Sequence, residues 1–259
     1  MRRKLIAGNW KMNGLSEEGL RLTEAIVERR LRAMEHGSED AESCELLICP
    51  PFTLLAQIRP MLGGTGVSLG AQDCHPAASG AHTGDISAPM LADLGCAYVI
   101  VGHSERRQNH REDDSLVQAK AQAALDAGLT PILCIGETED EREAGKTQEV
   151  LRRQLSGSLP ELKSGEATSL VIAYEPVWAI GTGKSAKNED VREAHASVRS
   201  FLEERFGAEL AREARLLYGG SVKPETSASL LAEDEVDGAL IGGASLKAED
   251  FWAIAISCP

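Results

Sequence analysis

Eight short apolar runs, most of them separated by segments of helical periodicity, constrain the fold of this chain more than any other feature. They are Leu5 to Ala7, Leu46 to Cys49, Val67 to Ala71, Tyr98 to Val101, Ile132 to Ile135, Leu170 to Ala173, Leu216 to Tyr218 and Ala239 to Ile241. Short runs of this kind suit strands of a parallel sheet covered on both faces. Between them, Leu20, Val27, Leu31 and Met34 follow a helical period after Ser16, read as the N-cap, and Val191, Ala194, His195, Val198 and Phe201 repeat the pattern. A helix over Val117, Ala121 and Ala124 meets Gly128, a stop signal. Eight strand and helix units in 259 residues fit one closed (β/α)8 barrel over residues 1–259, although a doubly wound open sheet gives the same alternation. No Pro/Gly/Ser-rich linker divides the chain, so a single domain is expected.

The placement of polar residues discriminates further, because a barrel builds its site just past the C-terminal ends of its strands. Those positions carry Asn9 and Lys11, then Gln72, His103, Glu137 and Glu175, then Gly219, Gly220 and Ser221, and finally Gly242 and Gly243. The last two glycine turns match a phosphate site made by backbone N–H groups and a short helix N-terminus. A small phosphate ester is the expected ligand. Glu175 ends its strand, Pro176 stiffens the exit, and Gly181 and Gly183 let the backbone close, so Pro176 to Lys184 reads as a lid with a general base at its root. Gly183-Lys184-Ser185 imitates the end of a nucleotide-binding P-loop, but that motif needs a glycine where Trp178 stands.

Composition narrows the partners. With 40 acidic against 27 basic residues the net charge is -13, which disfavours nucleic acid and anionic membranes, and no basic patch offsets it. No transmembrane candidate or signal peptide is evident, since the apolar run after Met1-Arg2-Arg3-Lys4 is too short. The six cysteines have neither CxxC spacing nor clustered histidines, so no zinc site or disulfide framework is expected, and a reducing cytoplasm is the simplest location.

A carboxylate, a histidine and a lysine converging on a phosphorylated small molecule suggest proton transfer beside a carbonyl. A carboxylate can remove a proton from carbon when donors aimed at the oxygen stabilise the enediolate, and His103 and Lys11 supply such donors. No metal or redox cofactor is needed. A Schiff-base enzyme such as an aldolase is the main alternative, but it requires a desolvated lysine facing the barrel interior, and Lys11 lies beyond the first strand among polar residues.

AGNWKMN at 7–13, VGHSERR at 101–107, CIGE at 134–137, AYEPVWAIGTGK at 173–184, YGGSV at 218–222 and IGGASL at 241–246 resemble the motifs of the triosephosphate isomerases, in the family's order and across the whole chain. The resemblance implies a closed (β/α)8 TIM barrel. It also implies a cytoplasmic homodimer without cofactor that interconverts dihydroxyacetone phosphate and D-glyceraldehyde 3-phosphate in glycolysis and gluconeogenesis. That family is itself a standard example of pKa tuning and lid closure. By this likeness Glu175 is the base, His103 the neutral electrophile and Lys11 the cation beside the oxyanion. Asn9 helps place substrate, and Gly181, Ser221, Gly242 and Gly243 contact phosphate. Glu105 stands as a supporting carboxylate near Lys11.

Residues 72–87 resemble the family's long third loop, which enters a pocket beside the partner's active site. Gly80, Thr83, Gly84 and Ser87 match. Asp73, His82 and Asp85 stand where asparagine, an aromatic ring and glutamate are usual, and Asp73 and Asp85 are local candidates to accept a charge on His82.

Overall fold

The computed structural model describes residues 2–37, 44–162, 170–180 and 184–259. Eight parallel strands close on themselves in sequence order. They are β1 (Lys4–Asn9), β2 (Cys44–Cys49), β3 (Val67–Ala71), β4 (Tyr98–Val101), β5 (Thr130–Ile135), β6 (Val171–Tyr174), β7 (Arg215–Tyr218) and β8 (Gly238–Ile241). The ring closes where Leu5 to Gly8 of β1 pair with Gly238 to Ile241 of β8. This pairing decides for the barrel over the open sheet.

Period-two alternation divides every strand except β3 between two cores. Leu5, Ala7, Leu47, Cys49, Ile100, Ile132, Cys134, Val171, Ala173, Leu217 and Leu240 fill the barrel interior. Ile6, Leu46, Ile48, Val99, Leu133, Ile172 and Leu216 face the helices instead. Near the strand starts the interior ends in a polar plug, in which Tyr98 Oη donates to Glu45 (2.6 Å) and Arg215 donates to both (2.8 Å each).

Element bounds depart from the sequence reading in several places, two of them with a clear local cause. The first long helix spans Ser16–Glu35, but Ser16 is inside it, and Glu18 caps it by reaching back to the Leu15 N–H at 3.1 Å. Strand β5 begins two residues before its apolar run, because Thr130 N–H already donates to Ala97 O at 2.9 Å. Pro131 is tolerated there since pairing with β6 starts at Ile132, so its missing N–H costs no ladder bond. Gly128, after helix Asp114–Asp126, has φ +77° and ends it as expected.

Candidate active site

The loops at the C-terminal ends of the strands surround a cavity of about 550 Å³ lined by Asn9, Lys11, His103, Glu175, Ile180, Ser221, Gly242 and Gly243, among others. Glu175 follows β6 directly and is 2% exposed. Its Oε2 accepts the Ser104 N–H at 2.9 Å, and its Oε1 lies 2.9 Å from His103 Nε2. Burial works against a charge on Glu175, but the imidazole and the Ser104 N–H outweigh it and hold the carboxyl below the usual glutamate range.

His103 has a second task. It caps the helix Ser104–Asn109, its Nδ1 accepting the Glu105 N–H at 3.2 Å. That bond occupies the Nδ1 lone pair and so places the ring proton on Nε2, toward Glu175. Burial opposes a charge on the ring while the Glu175 carboxylate favours one, and the balance lies above the ordinary histidine value.

Lys11 sits at φ +52°, a left-handed conformation that costs a non-glycine residue energy unless its surroundings fix it. Asn9 Oδ1 accepts the Lys11 N–H at 2.9 Å, and Gln72 Nε2 donates to Lys11 O and Cys49 O, both at 2.8 Å. The ammonium is 2.5 Å from Glu105 Oε1. Two glycines make room for these side chains. A Cβ at Gly219 would meet Glu175 Cγ at 2.7 Å, and one at Gly242 would meet Lys11 Cε at 3.3 Å. Gly243 opens a short 3-10 helix, Gly243–Leu246, whose first amides are the kind that bind anions.

Behind the base, Tyr174 Oη (3.1 Å) and Trp178 Nε1 (2.8 Å) both donate to Glu137 Oε1. Burial nonetheless pushes the Glu137 carboxyl up. The Arg142 guanidinium stacks on Trp178, 4.1 Å from the ring centre. Lys184, at the far end of the expected lid, pairs with Glu139. Gly181, a sequence-predicted phosphate contact, lies outside the described residues, as does Gly183.

Thr83 and His82 stand apart from this cavity, exposed in the 72–87 loop, whose arms meet at His75 and Ser87. Asp73 is not a partner for His82. It turns inward to Lys120 (2.7 and 2.8 Å) and Arg106 (2.8 Å), in a buried cluster with Glu112. The ring facing His82 is His75, with centroids 4.1 Å apart, and Asp85 Oδ2 lies 3.9 Å from His75 Nε2. Among the described residues His75, His82 and Asp85 could be gathered about a cation. However, the Ala77 N–H donates to His75 Nδ1 at 3.0 Å, which leaves the proton on Nε2 and suits that nitrogen to donate rather than ligate.

Sequence reasoning missed Ser104, whose backbone holds Glu175, and Ser245, whose hydroxyl donates to Gly242 O at 2.7 Å. Both lie inside the motifs at 101–107 and 241–246, but nothing in an isolated serine signals these contacts.

The arrangement offers a buried carboxylate, an imidazole N–H and an ammonium around one cavity, with a glycine turn at its edge. The family model described as triosephosphate isomerase matches residues 4–258. The chain is 55% identical over 254 residues to the triosephosphate isomerase of Xanthobacter flavus, covering 98% of this chain and 97% of the relative. It is 54% identical over 258 residues to that of Bradyrhizobium diazoefficiens, covering 99% and 98%. The crystal structure of triosephosphate isomerase from Bartonella henselae superposes with a TM-score of 0.86 at 48% identity, over 97% of each chain.

Proposed function

The chain belongs to the triosephosphate isomerase family and is an isomerase, and we propose that it interconverts dihydroxyacetone phosphate and D-glyceraldehyde 3-phosphate by proton transfer through an enediolate. In this reading residues 1–259 form one catalytic domain of a cytoplasmic homodimer serving glycolysis and gluconeogenesis. The observation that carries it is the convergence of Glu175, His103 and Lys11 on the cavity edged by Ser221, Gly242 and Gly243.

Glu175 takes the proton from carbon and returns it to the neighbouring carbon. His103 Nε2–H and the Lys11 ammonium donate to the oxygens on which charge develops, where fixed donors stabilise the transition state most. Asn9 places the substrate, Glu105 orients Lys11, and the amides at Gly181, Ser221, Gly242 and Gly243 hold the phosphate. When Glu175 turns to the substrate carbon it leaves His103 and Ser104. Its stabilisers then fall away while burial remains, so the carboxylate becomes a stronger base as it is needed. The same movement removes the carboxylate that favours a charged His103, and burial with the Glu105 N–H leaves a neutral donor. No cofactor takes part. A Schiff-base route finds no support, since the Lys11 ammonium is committed to Glu105.

One observation supports the homodimer. Met12, Leu15, Phe52 and Met90, in the segments that follow β1, β2 and β3, are large apolar side chains left exposed.

Coupled assays in both directions test the reaction. The wild-type protein should turn over both triose phosphates. Glu175→Gln should lose about 10³-fold or more in turnover while an unreactive phosphate analogue binds within a few-fold. Absence of wild-type turnover would overturn the reaction, and a Glu175→Gln enzyme keeping more than about a tenth of activity would overturn the base.

A further inference from the structure

All six cysteines are buried thiols, and barrel closure brings two of them together from opposite ends of the chain. Cys44 opens β2 at the N-terminal end of the barrel and is 1% exposed. Cys258 is the penultimate residue, in the tail after helix Ala248–Ala255, and is 9% exposed. The Cys44 thiol is near enough to act on the Cys258 thiol. Both also report to one carbonyl, since Cys44 Sγ donates to Ala255 O at 3.6 Å and the Cys258 N–H donates to the same oxygen at 3.4 Å. Lys4 pairs in register with Cys44 across β1 and β2, and its ammonium acts on the Cys258 thiol.

We propose that Cys44 and Cys258 are a disulfide-forming pair, a modification site that ties the C-terminal tail to the second strand. The oxidant is a low-molecular-weight disulfide. The Cys258 thiolate attacks one of its sulfurs and expels the first small thiol, leaving a mixed disulfide on Cys258. The Cys44 thiolate then attacks the Cys258 sulfur and expels the second. The two protons lost by the cysteines leave on the two small thiols, and the two electrons have reduced the oxidant's S–S bond.

Cys258 is the entry point because its tail lies beyond the last helix and opens without disturbing a strand. The contact with Cys44 and burial both hold the Cys258 thiol well above the usual range, with Lys4 opposing them, so the pair rests as thiols and reacts faster as pH rises. In a reducing cytoplasm the bridge is therefore the state reached under oxidant. It would close a loop spanning most of the chain, the case in which a cross-link restricts the unfolded state most. The site is at the N-terminal mouth of the barrel, opposite the loops that carry Glu175 and Lys11, so the oxidised protein should keep its activity and unfold more slowly.

The full chain, incubated with oxidised glutathione at alkaline pH, should lose two of its six titratable thiols. Non-reducing peptide mapping should join the Cys44 peptide to the C-terminal one. Reductant should reverse the change, and unfolding in denaturant should slow by about 10-fold or more. Cys44→Ser and Cys258→Ser should each abolish the bridge, the second serving if the first does not fold. Stable glutathione adducts alone, a bridge between other cysteines, or an unchanged thiol count would overturn the pairing. A bridged protein that unfolds at the reduced rate would overturn the clamp.

Discussion

His103 Nε2 stands 2.9 Å from Glu175 Oε1, so the proposed electrophile and the proposed base restrain each other. Ser104 N–H holds the other carboxylate oxygen at 2.9 Å, which leaves Glu175 parked on the helix that His103 caps. In the proposed reaction a substrate carbonyl that engages His103 releases this contact, so binding and activation of the base would be one event.

Removing the imidazole should therefore move the base's own titration. Glu175 lies below the usual range because His103 and Ser104 outweigh burial. In His103→Ala its titration, followed by carboxyl NMR in the free protein, should move upward, and turnover should fall by about 10² or more with little change in analogue affinity. An unmoved titration would assign the stabilisation to Ser104 alone.

The lid proposal rests on anchors at both ends of the 176–184 segment, Trp178 on Glu137 and Lys184 on Glu139. Trp178 and Ile180 can exclude water from the intermediate. Shortening the segment should let the enediolate escape and expel phosphate, giving methylglyoxal. Product analysis checks this, and slow isomerisation without extra methylglyoxal would remove the protective role.

Stability should fall in mild acid through His195. This residue is fully buried, its Nδ1 is 2.7 Å from Glu235 O, and burial lowers its pKa to about 4. Because the folded value lies below the unfolded one, the unfolded chain takes up the proton first. Stability is complete above about pH 6.5 and declines as pH falls toward 4, by up to about 3 kcal/mol. Urea unfolding at neutral and mildly acidic pH should show a smaller loss in His195→Gln than in wild type. Equal losses would place the dependence on other groups.

The strands were legible because each carries contiguous apolar residues, and closure was not, because it depends on Leu5 meeting Gly238 across nearly the whole chain. Glycine turns and strand-end polar residues gathered at one end of the barrel, since a strand's end is a local fact. The partner of Asp73 was hidden for the opposite reason. Lys120 is 47 positions away, while His82 is near in sequence. The helix start misled more simply: Ser16 has the right chemistry, but Glu18 reached Leu15 first.

Ring closure also sets a schedule. Lys11 is made with the first strand and Gly242 with the last, yet the lysine stem passes within van der Waals reach of where a Gly242 side chain would begin. At usual rates of synthesis the cation waits on the order of tens of seconds for the turn that completes its surroundings. A nascent chain halted before β8 can hold Glu175, His103 and Lys11 and still lack the Gly242–Gly243 turn of the proposed site. Emergence of the last strand from the ribosome would then mark the moment at which the growing chain becomes an enzyme.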